Sequence, residues 1–288
     1  MSPATATPDS NFPPPEGSDV TQAATRPRPD TTSAIAVASS VSRRFGDVTA
    51  LHEIDLSIGR GEFVSVVGPS GCGKSTLLEV FAGLQDHDGG TVYVDGQPLT
   101  GPRSKTAVIF QESATLPWRT VRDNVAFALE VRGVGKKERR SRADELLNTV
   151  GLSKFGDHYP TQLSGGMRQR VAIARCLSME PDLILADEPF GALDEQTRLV
   201  MSYELLKIVE KLTCGVLFIT HSIQEAVLLS DRVLVMSARP GRFIDEVDID
   251  LPRPRSEDVL ASPEAVALHE RIWSRLRDEA KKTMSIEP

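Results

Sequence analysis

Cysteine is scarce in this sequence, and long apolar runs are missing. The 288 residues include three cysteines, Cys72, Cys176 and Cys214, which are widely separated and form no C-x-x-C pair. An odd number at these spacings argues against a disulfide framework or a zinc site and favours a reducing compartment. No segment approaches the ~20 consecutive apolar residues that a membrane-spanning helix needs. We therefore expect a cytosolic protein that does not cross a bilayer by itself.

Positive charge is also in deficit. The chain has 33 Lys and Arg residues against 40 Asp and Glu residues, which gives a formal net charge of −7. This balance argues against general nucleic-acid binding, and we expect no nucleic-acid partner. The first 33 residues hold seven of the 19 prolines and lack both the basic start and the apolar core of a signal peptide. Because they carry too little apolar surface to fold, residues 1–33 are predicted to be a disordered extension.

From about residue 34 onward, strand-like and helix-like segments alternate. The predicted strands are Ala34–Phe45, Ala50–Ile58, Phe63–Val67, Thr91–Val94, Thr106–Phe110, Leu183–Ala186, Val216–Ile219 and Val233–Met236. This alternation indicates an α/β fold with a mostly parallel sheet covered by helices. A helical block at about 113–165 interrupts the strands and is interpreted as an inserted subdomain. A Pro/Arg-rich segment with an amphipathic helix, residues 251–288, follows the main domain at 34–250.

The most informative motif is a glycine-rich loop at residues 68–75, which we call the phosphate loop. It reads GPSGCGKS and matches the pattern G-x-x-x-x-G-K-[ST] of a loop that holds a nucleotide triphosphate. Its glycines let backbone N–H groups turn toward phosphates, Lys74 can reach the β- and γ-phosphates, and the Ser75 hydroxyl can bind Mg²⁺. An apolar strand precedes the loop and a helix follows it, so an ordinary glycine-rich turn explains the pattern less well. The candidate nucleotide-binding residues are Gly68, Pro69, Ser70, Gly71, Cys72, Gly73, Lys74, Ser75 and Thr76.

Two adjacent carboxylates follow an apolar strand further along the chain. Asp187 and Glu188 come directly after Leu183–Ala186. Neighbouring side chains at a strand end point in different directions and can have different tasks. Asp187 is expected to hold Mg²⁺, and Glu188 to polarise the water that attacks the γ-phosphate. A solvated strand end is the alternative, but ligands of parallel sheets bind at the carboxyl ends of strands.

A second phosphate-binding element is predicted at Ser164, Gly165 and Gly166. A serine before a helix is an ordinary N-cap, but two glycines weaken a helix start and remain unexplained by that role. They supply further N–H groups at a positive helix end, which is another anion site. The chain would then carry two phosphate-contacting elements, and two copies that face each other could engage both.

Taken together, these motifs resemble those of an ATP-binding subunit of an ABC transporter, with a P-loop NTPase core, an antiparallel β subdomain and an inserted helical subdomain. The resemblance covers about residues 34–250 and implies a head-to-tail dimer with a second copy or a close paralogue, each ATP lying between one phosphate loop and the partner's Ser164–Gly166. Met167 stands where the family most often has Gln.

The resemblance implies that Gln111 contacts Mg²⁺ and the attacking water, and that His221 touches the γ-phosphate. It also implies that Asp194 lies in the loop crossing the dimer interface and that Phe45 stacks on adenine. The candidate catalytic residues are thus Glu188, His221, Gln111 and Lys74, and the candidate Mg²⁺ ligands are Ser75, Gln111 and Asp187.

The resemblance also implies partners in and at the membrane. Leu116, Pro117 and Trp118 form an apolar cluster just after Gln111, where the family has a groove for a helix of an integral membrane permease; burial within the helical subdomain is the alternative. This cluster, Met167 and the Arg-rich tail are similar to the nitrate, sulfonate and taurine importer branch. That branch implies a separate solute-binding protein and a position at the cytoplasmic face of the cell membrane.

Three other interpretations stay open at this point. The nearest is an ABC exporter or lipid-transport ATPase. A soluble ABC ATPase of DNA repair or the ribosome is disfavoured, since such proteins typically carry two cassettes, a coiled coil or a zinc insertion. A P-loop kinase or GTPase would leave Ser164–Gly166 and His221 without a role.

Overall fold

The strands of the chain form two sheets. A computed structural model describes residues 34–253, 255 and 257–284, so the predicted extension at residues 1–33 lies outside the described residues. The strands are β1 (Ala34–Phe45), β2 (Val48–Gly59), β3 (Phe63–Val67), β4 (Gly89–Val94), β5 (Gln97–Pro98), β6 (Thr106–Ile109), β7 (Leu183–Asp187), β8 (Gly215–Ile219), β9 (Arg232–Met236) and β10 (Phe243–Asp248). The larger sheet has the order β10–β9–β3–β8–β7–β6, and the smaller has the order β2–β1–β4–β5.

The larger sheet is parallel except at one edge, where β10 pairs antiparallel with β9. Every residue of β3, β7 and β8 is buried. Alternate residues join different hydrophobic clusters, with Phe63 and Phe218 in one and Val64 and Leu217 in the other. Both faces of the sheet are therefore covered, which is why these strands read as unbroken apolar runs. The smaller sheet is antiparallel throughout. The predicted fold class is confirmed.

The helices connect the strands and cover the sheet. They are α1 (Lys74–Ala82), α2 (Val121–Val125), α3 (Phe127–Val131), α4 (Lys136–Thr149), α5 (Gly165–Leu177), α6 (Glu195–Leu212), α7 (Ile223–Leu229), α8 (Glu257–Leu260) and α9 (Pro263–Met284). Within the described residues, side-chain oxygens cap five of them, because Thr120, Ser164, Asp194, Ser222 and Ser262 each accept a hydrogen bond from the N–H three residues on. None of the helices in the described residues is long and apolar enough to cross a membrane.

The helical block meets the sheet through α5. This helix packs against α2 and α4 on one side and against β6 on the other. Val171 and Ile173 lie on different faces of α5, and both belong to the same buried cluster as Leu147 of α4. The helices α2 to α4 fall within the predicted subdomain at about 113–165, whose bounds remain a prediction.

The C-terminal segment is attached to the antiparallel edge of the larger sheet. Ala265 and Ile272 of α9 are buried in a third cluster together with Val247 of β10. Before that helix, the buried guanidinium of Arg255 donates to the carbonyls of Val227, Leu228 and Ser230. Val227 and Leu228 lie in the last turn of α7 and Ser230 is its C-cap, so Arg255 stabilises the end of that helix. The Arg-rich tail thus contributes to the fold.

Candidate functional site

The carboxyl ends of four parallel strands meet at one edge of the larger sheet. The register pairs Val66 of β3 and Asp187 of β7 with Ile219 of β8, and Ala186 of β7 with Ile109 of β6. The segments that leave this edge contain most of the predicted site. In strand order they are the phosphate loop after β3, His221 after β8, the Asp187–Glu188 pair at β7, and Gln111 after β6.

The phosphate loop leads directly into the N-terminus of α1. The N-cap is Gly73, with φ 108°, which offers no side-chain acceptor to the first N–H groups of the helix. Those N–H groups have no partner within the helix, so they suit a bound anion. Lys74 is buried, and its Nζ donates to the carbonyls of Gly68 at 2.9 Å and Pro69 at 2.8 Å. The lysine therefore lies folded across the loop that it is predicted to serve.

Glu188 and His221 form a pair at the same edge. The His221 Nε2 lies 2.7 Å from Glu188 Oε1, within hydrogen-bonding distance. Glu188 has φ 46°, an uncommon conformation for a residue other than glycine, and it is held there by its own N–H, which donates to the Ile219 carbonyl at 2.9 Å. This conformation turns the chain sharply after Asp187. Strain of about 1–3 kcal/mol is characteristic of residues held this way at functional sites.

A buried polar network lies behind this pair and was not predicted. The Thr220 hydroxyl hydrogen-bonds the buried carboxylate of Glu225 and accepts from the Ser222 N–H. Arg198 of α6 approaches the same carboxylate, with Nε 3.5 Å from Oε1. Burial raises the pKa of Glu225 above its usual range. The network fixes the backbone on both sides of His221, and the sequence signal was Glu225 three residues after the Ser222 cap.

Gln111 lies exposed in a bend just after β6. Two side chains of α5 hold the segment around it, since buried Gln169 donates to the Phe110 carbonyl at 3.1 Å and Arg175 donates to the Ala114 carbonyl at 2.9 Å. Gln169 and Arg175 were also missed by the sequence analysis. The signal was available, because Gln169 is a polar residue on the otherwise apolar face of α5.

The predicted second phosphate element begins a helix that packs on other elements than the helix after the phosphate loop does. Ser164 accepts from the Met167 N–H at 3.3 Å and so caps α5. A Cβ on Gly166 would lie 2.7 Å from Leu193 Cδ2, so this segment packs beside the loop before α6. Helix α5 packs on α2, α4 and β6, whereas α1 packs on β2, β7 and β8. The two phosphate elements therefore belong to different parts of the chain.

Asp194 has a local structural role. Its carboxylate caps α6 by accepting from the Thr197 N–H at 3.0 Å. Hydrogen bonds to Thr197 hold the pKa of Asp194 below its usual range. The predicted contribution of Asp194 to the nucleotide site remains a prediction.

Phe45 lies at the end of β1 and is not a core residue. Its side chain is 44% exposed, and the Arg43 guanidinium lies over the ring at 4.8 Å from the centroid. The β1–β2 hairpin meets the phosphate loop at Ala50, whose carbonyl oxygen would lie 2.8 Å from a Cβ on Gly73. The exposed Phe45 ring therefore lies a few residues before Ala50, where the hairpin contacts the phosphate loop.

The apolar cluster after Gln111 is ordered but exposed. The buried side chain of Asn124 accepts from the Leu116 N–H at 2.7 Å and donates to the Leu116 carbonyl at 3.0 Å. Trp118 is nevertheless 73% exposed, so burial in the helical subdomain is the wrong interpretation for this side chain. A held loop that presents an exposed tryptophan suits an interface.

The cysteine thiols take no part in the chemistry of the candidate site. All three are free and buried. Burial raises the pKa of Cys72 above its usual range, that of Cys176 to about 12 and that of Cys214 to about 11. Cys72 fills a position of the phosphate loop without presenting a reactive thiolate.

Comparison with known proteins places these features in a family. A family model described as ABC transporter matches residues 51–191. The chain is 46% identical over 248 residues to the nitrate import ATP-binding protein NrtD of Synechocystis sp., covering 84% of this chain and 93% of that protein. It is 48% identical over 212 residues to the taurine import ATP-binding protein TauB of Burkholderia thailandensis, covering 74% and 81%. Its fold is similar to the dimeric structure of the ATP-binding cassette MJ0796 bound to ADP and Pi, with a TM-score of 0.68, 34% identity, and coverage of 74% of this chain and 98% of that one.

Proposed function

The chain belongs to the ABC transporter family, and we propose that it is the ATP-hydrolysing subunit that drives import of a small solute through a membrane permease. The observation that carries this proposal is the convergence, at one sheet edge, of the phosphate loop with the Glu188–His221 pair. A triphosphate held at the N-terminus of α1 would direct its γ-phosphate toward the neighbouring strand ends.

The residues at this edge have different roles in phosphoryl transfer. Backbone N–H groups of residues 68–76 and the Lys74 ammonium neutralise the phosphates. Glu188 accepts a proton from the attacking water, and His221 orients that carboxylate through the 2.7 Å contact. Gln111, held from α5, positions the water from the far side.

The donor set at this edge also fits Mg²⁺. Ser75 is at the start of α1 and Asp187 is the last residue of β7, and α1 packs on β7, so a hydroxyl and a carboxylate lie on elements that contact each other. Hydroxyl, carboxylate and phosphate oxygens are the ligands that Mg²⁺ prefers, and when bound it neutralises charge on the phosphates. Ser75, Asp187 and Gln111 would hold the ion.

A second chain completes the site. Ser164, Gly165 and Gly166 present another helix N-terminus, on a helix that packs on other elements than α1 does. We infer that they serve the ATP of a partner chain in a head-to-tail dimer, formed by a second copy or a close paralogue. The related cassette bound to ADP and Pi is dimeric, which supports the formation of a dimer.

The import direction and the solute class rest on the relatives. The nitrate and taurine import proteins cover most of this chain at 46% and 48% identity, which favours a small anionic solute and a separate solute-binding protein. The chain would then act at the cytoplasmic face of the membrane. An exporter or a nucleic-acid-linked ATPase is the second candidate. Uptake of nitrate and taurine into vesicles that hold the chain and a permease that co-purifies with it tests import, and ATP-driven efflux would overturn it.

Trp118 is predicted to contact the permease. Replacing Trp118 with Asp is expected to abolish co-purification with the permease, because a charge at the centre of an apolar interface is costly to bury. The ATPase rate of the isolated chain should stay within about twofold, since the side chain points into solvent. Trp273→Asp is the matched control, because Trp273 is also exposed (53%) but lies on α9. Equal loss in both variants would contradict the assignment.

Phe45 is predicted to stack on adenine. Removing the ring in Phe45→Ala is expected to raise the KM for ATP roughly tenfold with little change in kcat, since base–aromatic stacking is worth ~1–3 kcal/mol. Phe45→Trp should restore most of the affinity. Tyr93→Ala removes an aromatic ring of similar exposure from the same small sheet and serves as the control. A KM equal to wild type in Phe45→Ala would show that the ring does not stack on the base.

A further inference from the structure

The loop between β9 and β10, residues 237–242, touches the phosphate loop on one side and the C-terminal helix on the other. We refer to it as the 237–242 loop. Its sequence is Ser-Ala-Arg-Pro-Gly-Arg. It is fixed internally, because the Ser237 hydroxyl donates to the Pro240 carbonyl at 2.9 Å and accepts from the Arg242 N–H at 3.1 Å. Because the loop is ordered and contacts both the phosphate loop and the C-terminal helix, a shift of one of these elements can move the other.

Arg239 contacts the phosphate loop directly. Its Nε and one terminal nitrogen both donate to the Gly71 carbonyl, at 3.0 and 2.8 Å. Gly71 has φ 71°, a conformation that glycine reaches but does not strongly prefer over its alternatives. Two hydrogen bonds from a charged fork to one carbonyl select one orientation of that peptide. The guanidinium also places a positive charge beside the loop that receives phosphates.

Gly241 brings the backbone of the 237–242 loop against the phosphate loop. Its N–H donates to the Ala50 carbonyl at 2.9 Å, and its carbonyl accepts from the His52 N–H at 3.0 Å. A Cβ at this position would lie only 2.2 Å from the Cys72 carbonyl oxygen. The glycine is therefore required for the close approach that lets Arg239 reach Gly71.

The C-terminal helix holds the other flank. The carboxylate of Glu279 on α9 is buried and accepts from the Ala238 N–H at 3.0 Å. Burial opposes its charge, but hydrogen bonds from Lys282 and the Ala238 N–H hold the pKa of Glu279 below its usual range. The ionised carboxylate of Glu279 accepts from the residue just before Arg239 and so anchors the start of the 237–242 loop to α9.

We propose that Arg239 is a positioning residue for the nucleotide phosphates, and that α9 supports it through Glu279. This inference rests on the proposed function, because it requires that the phosphate loop binds a nucleotide. Arg239 preorganises the loop by fixing the Gly71 peptide before binding, which removes part of the ordering cost that the nucleotide must otherwise overcome. The C-terminal helix thereby becomes part of the support for the ATP site.

Equilibrium titration of the full chain with MgADP tests this role, because ADP reports the phosphate loop without turnover. Arg239→Ala is expected to raise the Kd about tenfold, as loss of a charge-assisted pair of hydrogen bonds predicts. Arg239→Lys should recover only part of the affinity, since an ammonium lacks the planar fork. In ATPase assays, KM should rise while kcat stays within about twofold. Arg277→Ala, which removes an exposed arginine from α9, should leave Kd unchanged.

A double-mutant cycle tests the support from α9. Glu279→Ala is expected to raise the Kd about threefold alone and to add little in the Arg239→Ala background, because coupled residues are not additive. Glu279→Gln keeps an acceptor for the Ala238 N–H, so its Kd should lie between the values for the wild-type chain and for Glu279→Ala. Thermal melting of each variant separates local loss from unfolding.

Two outcomes would overturn the inference. An Arg239→Ala variant with wild-type Kd would remove the positioning role. A defect that disappears between about 0.05 and 0.5 M salt would show long-range charge attraction in place of positioning, since screening weakens exposed charges over that range. Failure of the wild-type chain to bind ADP at all would instead contradict the proposed function.

Discussion

The Glu188→Gln variant is expected to hydrolyse ATP about 10²- to 10³-fold more slowly than the wild-type chain, within the range for loss of a general base. Glutamine keeps the size of the side chain and can still accept a hydrogen bond from His221, whose Nε2 is 2.7 Å from the carboxylate. It cannot take a proton from water. ATP binding should persist, because the phosphate loop is unchanged.

The same variant should accumulate in its closed state. With MgATP, light scattering is expected to show a stable dimer of Glu188→Gln, whereas the wild-type chain turns over and dissociates. Glu204→Gln is a suitable control, since Glu204 is a carboxylate of α6 that pairs with Lys207. Undiminished hydrolysis by Glu188→Gln would refute the assigned role, and slow hydrolysis without ATP binding would point to a folding defect.

The phosphate loop was predictable because its information is local. A buried strand, a spaced set of glycines, a lysine and a helix follow one another within about 20 residues, and each has a strong sequence signal. The structure confirms this order, from β3 through Gly73 to α1. The carboxylate pair was predictable for the same reason, since Asp187 ends an unbroken apolar strand.

The missed features depend on contacts between distant parts of the chain. Glu188 has positive φ because its N–H bonds the Ile219 carbonyl in the next strand. The bond from Gln169 to Phe110 spans 59 residues, and the bonds from Arg239 to Gly71 span 168. Such pairings are fixed by the strand order of the sheet, which the local pattern does not reveal.

Two of the elements that the strand and helix patterns missed were missed for a related reason. The helix α7 (Ile223–Leu229) has only seven residues, and all but one of them are buried, so its periodicity is weak. The strand β10 (Phe243–Asp248) carries acidic residues that no isolated strand would favour. In the fold, Arg271 and Arg275 of α9 both pair with Asp245. The strand therefore depends on a helix that follows it in the sequence.

The proposed head-to-tail dimer leads to the second large effect. Lys74→Ala and Gly165→Asp are each expected to lower ATP hydrolysis ~100-fold or more, because one loses a phosphate-neutralising charge and the other opposes the phosphate with a like charge. Gly165→Asp should fold normally. Gly165 is the first residue of α5, the nearest atom to an added Cβ is 3.8 Å away, and an acidic residue in the first turn favours a helix.

Mixing the two inactive variants tells which chain supplies Gly165 to each site. In a head-to-tail dimer, the mixed dimer has one site that combines the intact phosphate loop of one chain with the intact Ser164–Gly166 segment of the other. Half of the dimers in an equal mixture are mixed, so about a quarter of the wild-type rate should return. If each chain completed its own site, the mixture would stay inactive.

Gly135→Asp, at the open N-cap of α4, is the matched control and should keep full activity alone. Exchange of subunits is verified by co-purification of differently tagged copies of the two variants, since a mixture that exchanges and still lacks activity would contradict the shared site. Recovery would instead establish that Ser164, Gly165 and Gly166 of one chain act on the nucleotide of another.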